Sequence, residues 1–196
     1  MSKNDIKHPV HSYCGLDLSL TSTGFCSLTG DKVIVETIKS KPKDFKDDIE
    51  RLDFIMKEIG KRVGSDYSLI AIEDYFMPYR RHQIGAAIKL VSLQSLVRHR
   101  IWADGLPFVI VSPGQIKKFA TGNGRSDKSL VVREVYRRWG VEADDDNQAD
   151  ACVLSRLARA LWLEKIGEEQ ELLKFQRDVV EKALKDSQFY GLDHTK

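Results

Sequence analysis

The stretch Tyr13-Cys-Gly-Leu-Asp17 decides how this chain folds, because it is a short apolar run that ends in an acid. We read residues 12–18 as a buried strand. Residues 69–73 repeat the pattern, with Glu73 after Leu-Ile-Ala-Ile. A carboxylate beside a core costs free energy unless a partner compensates it. We expect the two strands to lie side by side and parallel, with Asp17 and Glu73 at the sheet edge where α/β sheets bind ligands.

A third acid, Asp150, interrupts the apolar face of a helix predicted over residues 147–163. Apolar residues follow it at intervals of three, four, seven and eleven positions, which is helical spacing. Three carboxylates brought together would form a site for a hard divalent cation. Each acid also has a simpler interpretation: Asp17 as a turn residue, Glu73 as an exposed strand end, and Asp150 as a first-turn acid favoured by the helix dipole.

The remaining pattern predicts an α/β protein with a five-stranded mixed sheet and helices on both faces. The predicted strands are residues 12–18, 25–28, 32–38, 69–73 and 108–111. The predicted helices are residues 49–60 (or 49–64), 83–103, 113–119, 127–139, 147–163 and 165–187. We expect one domain over residues 1–163, with residues 1–11 as a loose tail and residues 164–196 as a C-terminal helical extension.

Composition limits the possible functions. The chain is 42% hydrophobic and 31% charged, so it can form a core, and its net charge is only +2. Residues 77–103 carry five Lys or Arg and no acid, which suggests a polyanionic substrate, with an ordinary solvated face as the alternative interpretation. The three cysteines lack metal-ligand spacing. With no signal-peptide pattern and no apolar run of 18 residues, we expect a cytoplasmic protein that does not bind membranes.

Four motifs in this order and spacing resemble the RuvC-type Holliday-junction resolvases of the RNase H-like fold, in particular their phage-type relatives. The match covers residues 12–163. The motifs are Gly15-Leu-Asp17-Leu-Ser-Leu-Thr-Ser-Thr-Gly24, Ala71-Ile-Glu73, Thr121-Gly-Asn-Gly-Arg-Ser-Asp-Lys128 and Asn147-Gln-Ala-Asp150-Ala. The resemblance implies a homodimeric endonuclease that uses two Mg²⁺ ions, or Mn²⁺, to make paired symmetric nicks in four-way DNA junctions. If the chain is phage-encoded, it would act in the host cytoplasm.

The resemblance also implies roles for individual residues. Asp17, Glu73 and Asp150 match the metal-binding acids of the family. Asn147 stands where the family carries a fourth ligand, and Asp146, on nearly the same helical face, is an alternative donor. The predicted catalytic and DNA-binding lysines are Lys117 and Lys128, the residue predicted to stack on a base is Phe76, and further DNA contacts predicted from charge are Arg80, Arg81, Lys118 and Arg125.

Several alternatives stay open. The apolar surface of helix 83–103 is interpreted as the dimer contact, but it would also suit burial inside one monomer. Residues 15–24 resemble the first phosphate loop of the actin-like ATPases, although no second phosphate motif is present. A branched-DNA-binding module without cleavage is a further candidate, as is an endonuclease with other branched substrates. The C-terminal extension could brace the fold, extend the dimer or bind a replication or recombination protein.

Overall fold

The computed structural model describes residues 11–75 and 84–191 of the chain. Within these ranges the strands are β1 (Ser12–Asp17), β2 (Ser22–Thr29), β3 (Lys32–Lys39), β4 (Tyr67–Glu73), β5 (Phe108–Val111) and β6 (Phe189–Tyr190). The α-helices are α1 (Asp48–Gly60), α2 (Ile84–Ala103), α3 (Pro113–Thr121), α4 (Lys128–Trp139), α5 (Asp146–Ile166) and α6 (Lys174–Asp186). None of these helices is long and apolar enough to cross a membrane.

All six strands belong to one mixed sheet in the order β3-β2-β1-β4-β5-β6. The hairpin strands β2 and β3 run antiparallel, whereas β1, β4 and β5 are parallel to one another. In the register of β1 with β4, Leu16 lies opposite Ile72. The prediction that the first strand and the strand ending at Glu73 are parallel neighbours is confirmed.

Helices cover both faces of the sheet, as predicted. Side chains alternate along β1, so Tyr13 packs into the core beneath α3, α4, α5 and α6, while Cys14 and Leu16 pack into the core beneath α1 and α2. Central strands buried on both faces explain the apolar runs in the sequence. Cys14, Cys26 and Cys152 are buried free thiols.

The described sheet has six strands and not the five predicted, because β6 adds a strand at the edge next to β5. Phe108 pairs with Tyr190 and Val109 with Phe189 in an antiparallel ladder. The rings of Phe108 and Tyr190 stack with their centroids 4.5 Å apart. This strand closes an edge that would otherwise leave backbone groups unpaired. Two residues are too short to show a strand period, which is why the pattern did not reveal it.

The single helix expected over residues 165–187 is also wrong. Helix α5 runs on to Ile166 and ends at Gly167, whose φ of 73° is left-handed. Residues 168–173 form an irregular connection, and α6 begins only at Lys174. Val179, Val180 and Ala183 of α6 join the same core as α5. The C-terminal segment therefore packs directly onto the rest of the chain.

Two glycines let α5 lie directly on β1 and β2. A Cβ at Gly15 would lie 2.0 Å from the carbonyl oxygen of Ala151, and one at Gly24 would lie 2.1 Å from that of Asn147. Both distances are far inside van der Waals contact, so only glycine fits. Gly24 is also the direct partner of Asp17 across the β1–β2 ladder. The close packing of α5 on β1 and β2 therefore fixes which part of the helix faces Asp17.

Gly24→Ala is expected to destabilise the fold by about 1–3 kcal/mol or more, since the methyl group collides with backbone and not with a flexible side chain. Urea unfolding measures the loss. Gly60→Ala is the matched control, because a Cβ there meets nothing within 4 Å. If the Gly24→Ala protein were as stable as the Gly60→Ala protein, the close packing of α5 against Gly24 would be contradicted.

Candidate metal centre

The predicted acids meet at one edge of the sheet. Asp17 ends β1 and Glu73 ends β4, so both leave the sheet just past the Leu16–Ile72 pair. Their carboxyl groups are close enough to share a hydrogen bond. Helix α5 crosses the same end and presents Asp150 from its second turn, where it acts electrostatically on Glu73. The fold therefore assembles three acids that lie far apart in sequence.

Burial and mutual repulsion raise the pKa values of these three acids and so oppose their full ionisation. Burial raises the pKa of Asp17 well above its usual range, and the hydrogen bond and charge of Glu73 raise it further. Burial also raises the pKa of Glu73. For Asp150, burial followed by the charge of Asp17 raises the pKa to about 7. A bound cation would relieve this repulsion, because it compensates the charges that the protein leaves close together.

Within residues 11–75 and 84–191, no three His, Cys, Asp or Glu side chains are already drawn together tightly enough to coordinate an ion. The fit to a divalent cation lies in the chemistry of the donors. Asp17, Glu73 and Asp150 offer carboxylate oxygens, which Mg²⁺ prefers, and none of the three is paired with a lysine or arginine in an ion pair within those ranges.

The first turn of α5 holds both candidates for a fourth ligand. Asn147 is half-buried, and its backbone carbonyl packs over Gly24. Asp146 forms an ion pair with Lys128, and this contact lowers the pKa of Asp146. Asp146 is therefore ionised at the rim of the acidic group. The choice between Asn147 and Asp146 stays a prediction.

Two predicted lysines lie beside the acids. Lys128 is the first residue of α4, and its charge acts on Asp17, Glu73 and Asp150. Lys117, on α3, acts on Glu73 and Asp150. A lysine beside a reacting phosphate can stabilise the negative charge that develops on it.

If the chain has the nuclease activity that the resemblance implies, Lys128→Met is expected to lower DNA cleavage about 10²-fold, because it removes a positive charge from beside the acidic group and keeps the length of the side chain. Single-turnover cleavage at saturating protein measures this loss. Lys118→Met is the control, since Lys118 contacts Asp178 of α6 at 3.7 Å. Equal effects of the two changes would mean that Lys128 acts only as general positive charge.

Two of the other predicted DNA contacts, Arg125 and Lys118, lie within the described residues. Arg125 lies exposed in the loop between α3 and α4, where its N–H donates to Asn123 Oδ1 at 3.0 Å. Lys118 turns toward the C-terminal segment. Phe76, Arg80 and Arg81 lie outside the described residues.

A polar network that the sequence pattern did not predict anchors the start of α5. Asp145 Oδ1 accepts the N–H of Gln148 at 2.8 Å as the helix cap. Thr37 Oγ1 of β3 donates to Asp145 Oδ2 at 3.1 Å and accepts from Gln148 Nε2 at 3.0 Å. This network ties the helix end that carries Asp146, Asn147 and Asp150 to the sheet. The sequence Asp145-x-x-Gln148 has the spacing of a capping box and could have indicated it.

The strand order β3-β2-β1-β4-β5, with β2 antiparallel to both of its neighbours and helices on both faces, is that of the RNase H-like class of fold, as predicted. No family model matches the chain. Over 164 residues, which are 77% of this chain and 98% of the relative, it is 27% identical to the crossover junction endodeoxyribonuclease RuvC of Sulfurovum sp. strain NBC37-1. The similarity confirms the predicted resemblance to RuvC-type resolvases. That the chain belongs with their phage-type relatives stays a prediction.

Solved structures share this fold. The structure of Thermus thermophilus RuvC superposes with a TM-score of 0.62 at 21% identity, covering 80% of this chain and 96% of that one. The same protein in complex with a Holliday junction substrate gives a TM-score of 0.61 at 20% identity, with the same coverage. At these sequence identities the structural similarity indicates a shared fold only.

Proposed function

We propose that this protein is a metal-dependent endonuclease that resolves four-way DNA junctions with paired symmetric nicks. The observation that carries the proposal is the group formed by buried Asp17 and half-buried Glu73 and Asp150, with Lys128 beside it, at the sheet edge of a RuvC-like fold. Similarity to a crossover junction endodeoxyribonuclease over 98% of that relative's length supports the substrate class.

In this proposal Asp17, Glu73 and Asp150 hold two Mg²⁺ ions, with Asn147 or Asp146 as a further oxygen donor. Bound ions of this kind activate a water and stabilise the leaving oxygen in phosphodiester hydrolysis. The carboxylates would hold the ions and compensate their charge. Lys128 and Lys117 balance negative charge on the scissile phosphate. Mn²⁺ is the alternative ion, since it accepts the same oxygen ligands.

The junction would approach over the edge of the sheet that holds the acids. Lys117, Lys128 and the exposed Arg125 are the proposed phosphate contacts, and they position the DNA without reading its sequence. Phe76, Arg80 and Arg81 follow Glu73 closely in the chain and are retained as predicted contacts. The ion pair of Lys118 with Asp178 makes it a weaker candidate for this role.

We also propose a homodimer formed through α2. Ala87, Leu93, Val97 and Ile101 of this helix are buried in the core, whereas Ile84, Ile88, Leu96 and Trp102 are 41–59% exposed. These exposed residues recur at helical spacing, so they form an apolar stripe along the outer face. A stripe of this kind suits a two-fold contact, and a two-fold dimer matches a four-way junction cut at two symmetric points.

Ile88→Glu is expected to convert the dimer to a monomer at micromolar concentration, because it places a charge at the centre of the stripe. Light scattering after size-exclusion chromatography measures the mass. Tyr136→Glu on α4 is the control, since Tyr136 is 58% exposed on a different helix. A wild-type protein that is already monomeric would refute the proposed dimer.

The proposed activity is tested with a panel of four-way, three-way, flap and linear DNA, with and without Mg²⁺. Paired symmetric nicks on the four-way substrate are expected. Cleavage of every branched substrate would support a nuclease with a broader substrate specificity than four-way junctions. Junction binding with no cleavage would favour a binding module, and saturable ATP binding without cleavage would favour the ATPase alternative.

The free thiols of Cys14, Cys26 and Cys152 suit a reducing compartment, which supports the proposed cytoplasmic location. A replication or recombination protein that binds residues 164–196 stays a prediction.

A further inference from the structure

Helix α2 reaches the carboxyl end of β4 with two polar side chains. Gln94 Nε2 donates to the backbone carbonyl of Glu73 at 3.2 Å, and Arg98 Nη2 lies 3.5 Å from the same oxygen. Arg98 also donates to Asp74 Oδ1 at 3.1 Å. From the other side, the N–H of Asp74 donates to the carbonyl of Val111 at 2.8 Å. The backbone at Glu73 is therefore held between α2 and β5.

Burial of these side chains is hard to explain by stability. Gln94 is only 2% exposed and lies on the face that carries Leu93 and Val97 into the core. Within the described residues, Gln94 Oε1 and Arg98 Nε are buried without a hydrogen-bond partner. A polar group that is half satisfied costs free energy that an apolar side chain of similar size would not. A stabilising role would therefore be served better by a residue such as methionine.

The contacts have a direct consequence for the acid at this position. Since Glu73 is the last residue of β4, its side-chain direction depends on a backbone that is no longer held on both sides by the sheet. The Arg98 guanidinium also lies over the ring of Tyr75, with its carbon 5.6 Å from the ring centroid. Gln94 and Arg98 thus restrain the chain at, and directly after, Glu73.

We propose that Gln94 and Arg98 are positioning residues, which hold the end of β4 so that the Glu73 carboxylate faces Asp17 and Asp150. The proposal rests on the proposed nuclease function, in which Glu73 binds metal. It assigns to α2 a task in catalysis besides its packing. Neither side chain touches the substrate or the reacting atoms in this assignment.

Two variants remove the contacts with little change of volume: Gln94→Met and Arg98→Met. In each, kcat for junction cleavage is expected to fall about 10–100-fold, because a displacement of about 1 Å at a catalytic group has effects of this size. The Kd for the junction without metal should stay within about twofold of wild type. The Mg²⁺ concentration for half-maximal cleavage should rise, and Arg98→Lys should recover part of the loss.

Thermal unfolding separates positioning from structural support. Gln94→Met is expected to keep or raise the melting temperature while kcat falls. Arg100→Met is the control, since Arg100 lies on the same helix, is exposed and contacts Asp104. A melting temperature that falls together with kcat would overturn the proposal, as would a wild-type kcat in folded Gln94→Met and Arg98→Met.

Hydrogen exchange at the Asp74 amide tests the contacts without any cleavage. Faster exchange is expected in Gln94→Met and Arg98→Met, with the Arg100→Met protein unchanged. If the wild-type protein cuts no junction but the variants still show this change, the nuclease proposal fails and the restraint on β4 stands. If the wild type cuts and the variants match it in both readouts, only the positioning proposal fails.

Discussion

Asp17→Asn is expected to lower junction cleavage at least about 10³-fold and to leave junction binding within about threefold of wild type. Asparagine keeps the shape of the side chain but removes one charge from the proposed metal site. Loss of a metal ligand costs several kcal/mol of transition-state stabilisation, and 1.36 kcal/mol corresponds to a factor of ten. Single-turnover cleavage in Mg²⁺ measures the first effect, and gel mobility shift without metal measures the second.

The matched control is Asp31→Asn. Asp31 is an exposed acid in the hairpin between β2 and β3, at the end of the sheet opposite Asp17. Its substitution removes the same charge from the protein and should leave cleavage unchanged. Cleavage by Asp17→Asn within about tenfold of wild type would remove Asp17 from the metal site.

The metal-free protein is expected to lose stability through Asp150 as the pH rises from about 4 to about 7. The pKa of Asp150 is raised from 3.8 to about 7 in the folded protein, so the folded state binds its proton more tightly than the unfolded state. The stabilisation is complete below the unfolded pKa and is lost as the pH rises through the folded pKa. A difference of about three pKa units corresponds to about 4 kcal/mol at most.

Asp150→Asn isolates this effect from those of the other acids. At pH 8 without metal the variant should be more stable than wild type by about 1–4 kcal/mol, and the advantage should shrink toward pH 4. Urea unfolding at both pH values measures it, with Asp31→Asn as the control. Added Mg²⁺ should stabilise wild type more than Asp150→Asn at pH 8. A stability difference that does not change with pH would contradict the raised pKa of the half-buried Asp150.

The acids of the candidate site could be predicted because their signals are local. Asp17 and Glu73 each end an apolar run, and Asp150 breaks a helical period, so each was visible within about ten residues. The parallel pairing of their strands followed from topology. Two hairpin connections return the chain to the direction of the first strand, and the helix that follows leads to a further strand in the same direction. Lys128 was found through its motif and not through its charge, which resembles that of many surface lysines.

Contacts between distant segments left no such signal. The two-residue strand β6, the ion pair of Lys128 with Asp146 and the contacts of Gln94 and Arg98 with β4 all join residues at least 18 positions apart. From the sequence alone, a buried glutamine on a helix cannot be distinguished from an exposed polar residue, because its hydrogen-bond partner is unknown. Sequence spacing carries no information about such partners.

The sequence by itself determined the class of fold and the chemistry of its acids, because periodicity and residue type dictate which segments are buried and which oxygens they carry. Only the tertiary structure decided the arrangement of those acids. Gly15 and Gly24 set how closely α5 approaches β1 and β2, Thr37 and Asp145 anchor its first turn, and α2 restrains the end of β4. The reason is physical: direction and distance between side chains depend on packing, which exists only once the segments have come together.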